Sequence, residues 1–136
     1  MTRILVVDDE EAIREVLVEF LARHGYTAEA AGDGPAALAL ARGLKPQVVL
    51  LDVAMPGMDG IETLQRLREL SSEMVIIMIS GHADDRMALR ALDLGAYDFI
   101  QKPLDFEYLE RTLLAKMVTL EADQGSDSTR EAAHAA

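Results

Sequence analysis

The sequence predicts an α/β domain in which strands and helices alternate around a parallel sheet, and three observations carry that prediction. Short apolar runs alternate five times with longer segments whose apolar residues recur at helical spacing. Glycine or proline stands at several of the changes of period, at Gly25, Asp33-Gly34-Pro35, Gly43 and Gly95. Three of the runs, Ile4-Leu5-Val6-Val7, Val48-Val49-Leu50-Leu51 and Val75-Ile76-Ile77-Met78-Ile79, are apolar at every position, as strands covered on both faces are.

Taken in order, Arg3 to Val7 is the first strand, and the helix after it places Ile13, Val16, Leu17, Phe20 and Leu21 on one face before stopping near Gly25. Tyr26 to Ala31 is a weaker second strand. Asp33-Gly34-Pro35 turns into an Ala/Leu-rich helix that runs through Arg42 and ends at Gly43. Gln47 to Leu51 is the third strand, and Ile61, Leu64 and Leu67 mark the third helix. Met74 to Ile79 is the fourth strand, Asp84 to Leu94 a helix closed by Gly95, and Asp98 to Gln101 a short fifth strand. A last helix, from Asp105 to about Leu120, follows the stripe Leu109, Leu113, Met117 and Leu120. From Glu121 onward no apolar residue exceeds alanine, a composition expected to stay disordered or to serve as a linker. The expected organisation is one domain over residues 1–121 and a tail over 122–136.

Strict alternation implies right-handed crossovers and helices on both faces of the sheet. The more polar runs, Tyr26-Thr27-Ala28-Glu29 and Phe99-Ile100-Gln101, belong at the edges. That gives the doubly wound (βα)5 order 2-1-3-4-5, the flavodoxin-like arrangement, with a site expected where the winding reverses at the C-terminal ends of strands one and three.

Composition narrows what such a site can do. The 136 residues, half of them apolar, suffice for a single core. No uninterrupted apolar run approaches the roughly 18 residues of a membrane span, and Met1 to Val7 lacks a secretory pattern, so a cytoplasmic location without a membrane partner is expected. Cysteine is absent, which removes disulfides, thiolate metal sites and thiol nucleophiles. A formal net charge of -11 repels phosphate backbones, so direct nucleic-acid binding by this domain is not expected.

Asp8-Asp9 follow strand one, Asp52 strand three, Ser80 strand four and Lys102 strand five, and the topology brings all of them to one edge. Three carboxylates in a partly desolvated pocket must hold a proton or a cation. An oxygen-only donor set suits magnesium or manganese and leaves room for phosphate oxygens. Phosphoryl transfer needs an in-line nucleophile with its equatorial charge neutralised. Asp52, at the switch point, is the candidate nucleophile; Asp8 and Asp9 are the candidate metal holders; Lys102 offers the cation and Ser80 the hydroxyl donor, with Gly81 keeping the approach open.

On these residues the chain resembles the receiver domain of bacterial two-component response regulators, similar in layout to the single-domain chemotaxis regulator. The resemblance spans about residues 2 to 120 and rests on Asp8-Asp9, the block from Leu51 through Asp52 and Pro56-Gly57 to Asp59-Gly60, Ser80-Gly81, and the segment from Gly95 to Lys102-Pro103. It implies transfer from a sensor histidine kinase or phosphotransfer protein to Asp52, with Mg2+ held by Asp9, Asp52 and the carbonyl of Ala54 and with Asp8 acting through water. It further implies that Ser80 and Phe99 report the phosphorylated state by altering the surface of helix four, strand five and helix five, through which a homodimer is an option. Phe99 has no hydroxyl, so packing alone must report. The resemblance also implies a Lys102-Pro103 bond that is often cis, and a kinase contact on helix one.

Each residue alone has a plainer account. Paired Asp can start a helix, Ser80 can cap one, and Asp52 and Lys102 can be surface charges. Their coincidence at four strand ends favours the joint reading. His82 is most simply a loop residue, His24 a helix C-terminal charge, Met55 and Met58 loop packing, and Arg14, Glu15, Glu62 and Arg66 solvated helix faces. Two alternatives stand beside the switch: a degenerate receiver that binds proteins without phosphate, and a phosphatase with an aspartyl-phosphate intermediate, which typically has an Asp where this chain has Ala54. The polar tail fits either a true terminus or a linker to an output domain of a longer transcriptional regulator.

Overall fold

The chain is described by a computed structural model over residues 2–55, 57–81 and 85–125; the side chains of Asp85 and of residues 117–125 are not described. The expected alternation is present as β1 (Arg3–Val7), α1 (Glu11–Arg23), β2 (Thr27–Ala31), α2 (Gly34–Leu44), β3 (Val48–Asp52), α3 (Gly60–Leu70), β4 (Val75–Ser80), α4 (Asp85–Asp93), β5 (Asp98–Gln101) and α5 (Phe106–Gly125). All strand pairs are parallel, in the order β2-β1-β3-β4-β5. The chain divides into two compact units, Met1–Pro103 with the whole sheet and α1 to α4, and Leu104–Ala136 with α5.

Period-two alternation sorts the sheet's side chains in the first unit. Leu5, Val7, Val49, Leu51, Ile76 and Met78 share one buried cluster with Ala37, Leu38 and Ala41 of α2, Leu64 and Leu67 of α3 and Ala91 of α4. Ile4, Val6, Val48, Leu50 and Ile77, the alternate residues, are buried outside that cluster. There α1 lies against β1 and β2 and buries Leu17 and Leu21. Within the second unit Asp105 starts α5 by accepting a hydrogen bond from the Tyr108 N–H at 3.1 Å, and Leu109 and Leu113 are buried.

Several boundaries differ from expectation. Val16 is 49% exposed, so the buried stripe of α1 narrows to Leu17 and Leu21. Gly43 does not end α2: Leu44 packs on the core cluster, which carries the helix one residue further, and Lys45 closes it at φ 51°. β3 and β4 each begin and end one residue later than expected, with Asp52 still pairing with Ile79 and Ser80 with Gln101. α5 continues to Gly125 instead of about Leu120, since Glu121, Ala122 and Gln124 are good helix formers. His82, Asp84, Pro56 and residues 126–136 lie outside the described residues.

Candidate functional site

Parallel register delivers the sequence-predicted residues to one place. Val7 stands level with Leu51, Leu51 with Met78, and Met78 with Phe99, so Asp8 and Asp52 lie one rung beyond that row. Ser80 lies on the next rung beside Gln101, and the Lys102 N–H donates to the Ser80 carbonyl at 2.7 Å.

The side chains then converge. Lys102 Nζ lies 2.9 Å from Asp8 Oδ2, 3.6 Å from Asp52 Oδ2 and 3.5 Å from Glu10 Oε1. Asp8, Asp52 and Ser80 are buried, whereas Asp9 and Ala54 are exposed. Asp8 is held on every side. Its N–H donates to Ala31 O at 3.1 Å, its Oδ1 accepts the Glu10 N–H at 2.9 Å, and its carbonyl accepts Arg14 Nη1 at 2.7 Å. Asp52 Oδ1 accepts the Ala54 N–H at 3.2 Å, and the Val53 N–H donates to Ile79 O. The Lys102-Pro103 bond is cis.

Electrostatics follow from this packing. Burial first, then the Asp8 charge, pushes the Asp52 carboxyl up to about 6; Lys102 and the Ala54 N–H act in the opposite direction, and Asp9 adds to the rise. Burial opposes the Lys102 charge, but the hydrogen bond to Asp8 and the charges of Asp52, Asp8 and Glu10 outweigh it and leave the ammonium above its ordinary range. One ammonium thus leaves the carboxylates under-neutralised, and the donor set is entirely oxygen, which fits a hard divalent cation. Among the described residues, Asp8, Asp9 and Glu10 each place a carboxylate oxygen within 4.8 Å of the others.

Sequence reasoning missed Glu10 and Arg14. Glu10 adjoins the acidic pair, and that adjacency was the available signal. Arg14, expected on a solvated face, instead reaches the Asp8 carbonyl. The plainer account of Asp8-Asp9 as helix caps fails, because α1 is capped by Glu10 with no side-chain bond. His24 does stand at the C-terminus of α1, its Nδ1 2.8 Å from Phe20 O, and Met55 and Met58 pack in the core. Phe99 is half-buried against that core.

Residues 4–114 match the family model described as the response regulator receiver domain. The chain belongs to that family. This receiver domain is 38% identical over 126 residues to the response regulator MprA of Mycobacterium sp. (strain KMS), covering 93% of this chain and 55% of the relative. It is 38% identical over 109 residues to the regulatory protein AtoC of Escherichia coli (strain K12), covering 80% of this chain and 24% of that protein. Among solved structures, a CheY-like receiver domain protein from Methanospirillum hungatei JF-1 superimposes with a TM-score of 0.86 at 30% identity, covering 90% of this chain and 98% of that one. The receiver domain therefore spans about half the length of MprA and a quarter of AtoC. Receiver domains act in two-component systems, where they pair with histidine kinases, are phosphorylated, and generally bind Mg2+ at an acidic pocket. Among the described residues no helix is long and apolar enough to cross a membrane.

Proposed function

We propose that Asp52 accepts the phosphoryl group of a histidine kinase or phosphotransfer protein, and that this receiver domain thereby serves as a cytoplasmic switch within a two-component regulator. The observation that carries this reading is the buried Asp52 carboxylate, 3.6 Å from Lys102 Nζ and beside Asp8 at the switch point of the sheet. An Asp52 oxygen attacks phosphorus in line, a P–O bond forms, and the P–N bond to the donor imidazole breaks, its electron pair leaving with the nitrogen. Lys102 neutralises charge on a phosphoryl oxygen, and the Ser80 hydroxyl donates to another. Asp9, Asp52 and the Ala54 carbonyl are the groups assigned to hold Mg2+, with Asp8 acting through water; the ion would supply further positive charge to the phosphoryl oxygens. The domain catalyses no turnover of a separate substrate and only assists its own phosphorylation and dephosphorylation.

Lys102 leaves Asp8 and Asp52 for the phosphoryl group, and that movement alters the β5 surface around Phe99. The consequence is passed to an output domain or a downstream protein, or to a second copy through helix four, strand five and helix five. Treatment with acetyl phosphate and magnesium, read by intact mass and peptide mapping, tests the assignment. A single long-lived adduct on Asp52, absent from Asp52→Asn, is expected. Rapid multiple turnover would instead identify a phosphatase, and no adduct a phosphate-independent binding module.

A further inference from the structure

Arg14 lines a surface groove on α1 together with Glu11, Glu15 and Glu19. Its Nη1 is nevertheless directed to the Asp8 carbonyl at 2.7 Å, one of the shortest contacts of the acidic loop. The guanidinium also lies over Gly32: a Cβ there would meet Nη1 at 3.2 Å. Gly32 follows Ala31, whose carbonyl takes the Asp8 N–H. Arg14 therefore ties α1 to the loop that carries the acidic pair at the point where that loop joins the edge strand.

The carbonyl concerned belongs to the peptide plane between Asp8 and Asp9. Six atoms of that plane, including both Cα atoms, move together. Holding its oxygen restrains the orientation of the backbone from which the two carboxylates project, one buried and one exposed. We infer that Arg14 is a positioning residue for the divalent-cation site, acting on the Asp8–Asp9 peptide and not on the phosphoryl group itself. This inference rests on the assignment of Asp8 and Asp9 to the cation site. Partners one shell behind a metal's ligands typically change its affinity 10- to 100-fold when removed.

The test compares wild type with Arg14→Met, Arg14→Lys and Gly32→Ala, the last keeping the arginine but crowding its guanidinium. Mg2+ affinity is measured by calorimetric titration and by the amide shifts of Asp8 and Asp9, without any phosphoryl donor. Arg14→Met is expected to weaken Mg2+ about tenfold, with Gly32→Ala weaker in the same direction and Arg14→Lys restoring part of the loss. Acetyl-phosphate labelling should slow at low Mg2+ and recover at saturating Mg2+. Unchanged affinity in Arg14→Met, or a loss that Lys does not relieve and that tracks thermal destabilisation, overturns the inference. If Arg14→Met does not fold, Gly32→Ala and Arg14→Lys decide it by the same affinities. Wild-type protein that binds Mg2+ but forms no Asp52 adduct would reject the switch reading while leaving the role of Arg14 standing.

Discussion

At the scale of single residues, Asp52 couples the site to pH. Its carboxyl is raised from 3.8 to about 6, so the folded chain binds this proton more tightly than the unfolded chain does. The ionised group thus opposes folding above pH 6, and its contribution improves as pH falls through about 6 toward 4. Asp52→Asn, measured without magnesium, is expected to raise the unfolding free energy at pH 7 by about 1–2 kcal/mol, because burial of a charge is relieved while an oxygen remains for the Ala54 N–H. A chemical-denaturation series from pH 4 to 8 checks this; equal stabilities for both proteins at pH 7 would contradict it. Gly60 shows the opposite sensitivity. A Cβ there would collide with the Asp52 carbonyl oxygen and the Val53 Cα, both backbone, so Gly60→Ala is expected to cost about 2–4 kcal/mol in urea unfolding. That Asp8, Asp9, Asp52, Ser80 and Lys102 would gather at one edge of the sheet was legible, because acidic, hydroxyl and basic residues at strand ends have few other reasons to coincide. Arg14 was not, because a helix arginine has the same local signature whether it faces water or a carbonyl.

Elements show the same division between what pattern reveals and what contact decides. Uniformly apolar runs located the central strands, and more polar ones the edges, since a strand's exposure is written in its own side chains. Helix ends were less legible: Leu44 outweighs Gly43 at the end of α2 through packing that no local window contains. The junction between α3 and α4 was invisible for that reason. Arg68 donates from Nη2 to Gly95 O at 2.9 Å and from Nη1 to Ser72 O at 3.0 Å, drawing the ends of two helices together. Its Nε–H is buried without a partner, and burial lowers its pKa, so the clasp has a cost that the two carbonyls must outweigh. Gly95 is required twice over, at φ 106° and because a Cβ would lie 2.9 Å from Arg68 Nε. Arg68→Ala is expected to lower stability by about 1–3 kcal/mol and to speed amide exchange at Gly95 and Ala96 more than at β3. Uniform acceleration across the sheet would argue for general loosening instead.

For the whole molecule, the net charge of -11 sets the terms on which any cation binds. Self-repulsion disfavours the compact state, and its screening by monovalent salt raises stability without any specific site. On the assignment proposed above, magnesium at the acidic pocket would stabilise by a different route, because it would bind the folded chain and not the unfolded one. At ten times its dissociation constant the gain is about 1.4 kcal/mol, or roughly 5 °C in melting temperature for a domain of this size. The two routes separate on a grid of thermal melts. Sodium chloride should raise Tm in its own right while shrinking the increment due to magnesium, since screening weakens the pocket's attraction. Lowering pH through about 6 should shrink that increment too, because on the proposed assignment a proton on Asp52 would compete with the ion. Asp9→Ala should nearly abolish the increment and leave the salt response intact. An undiminished magnesium effect in that variant would move the cation away from the acidic pocket to the diffuse surface charge.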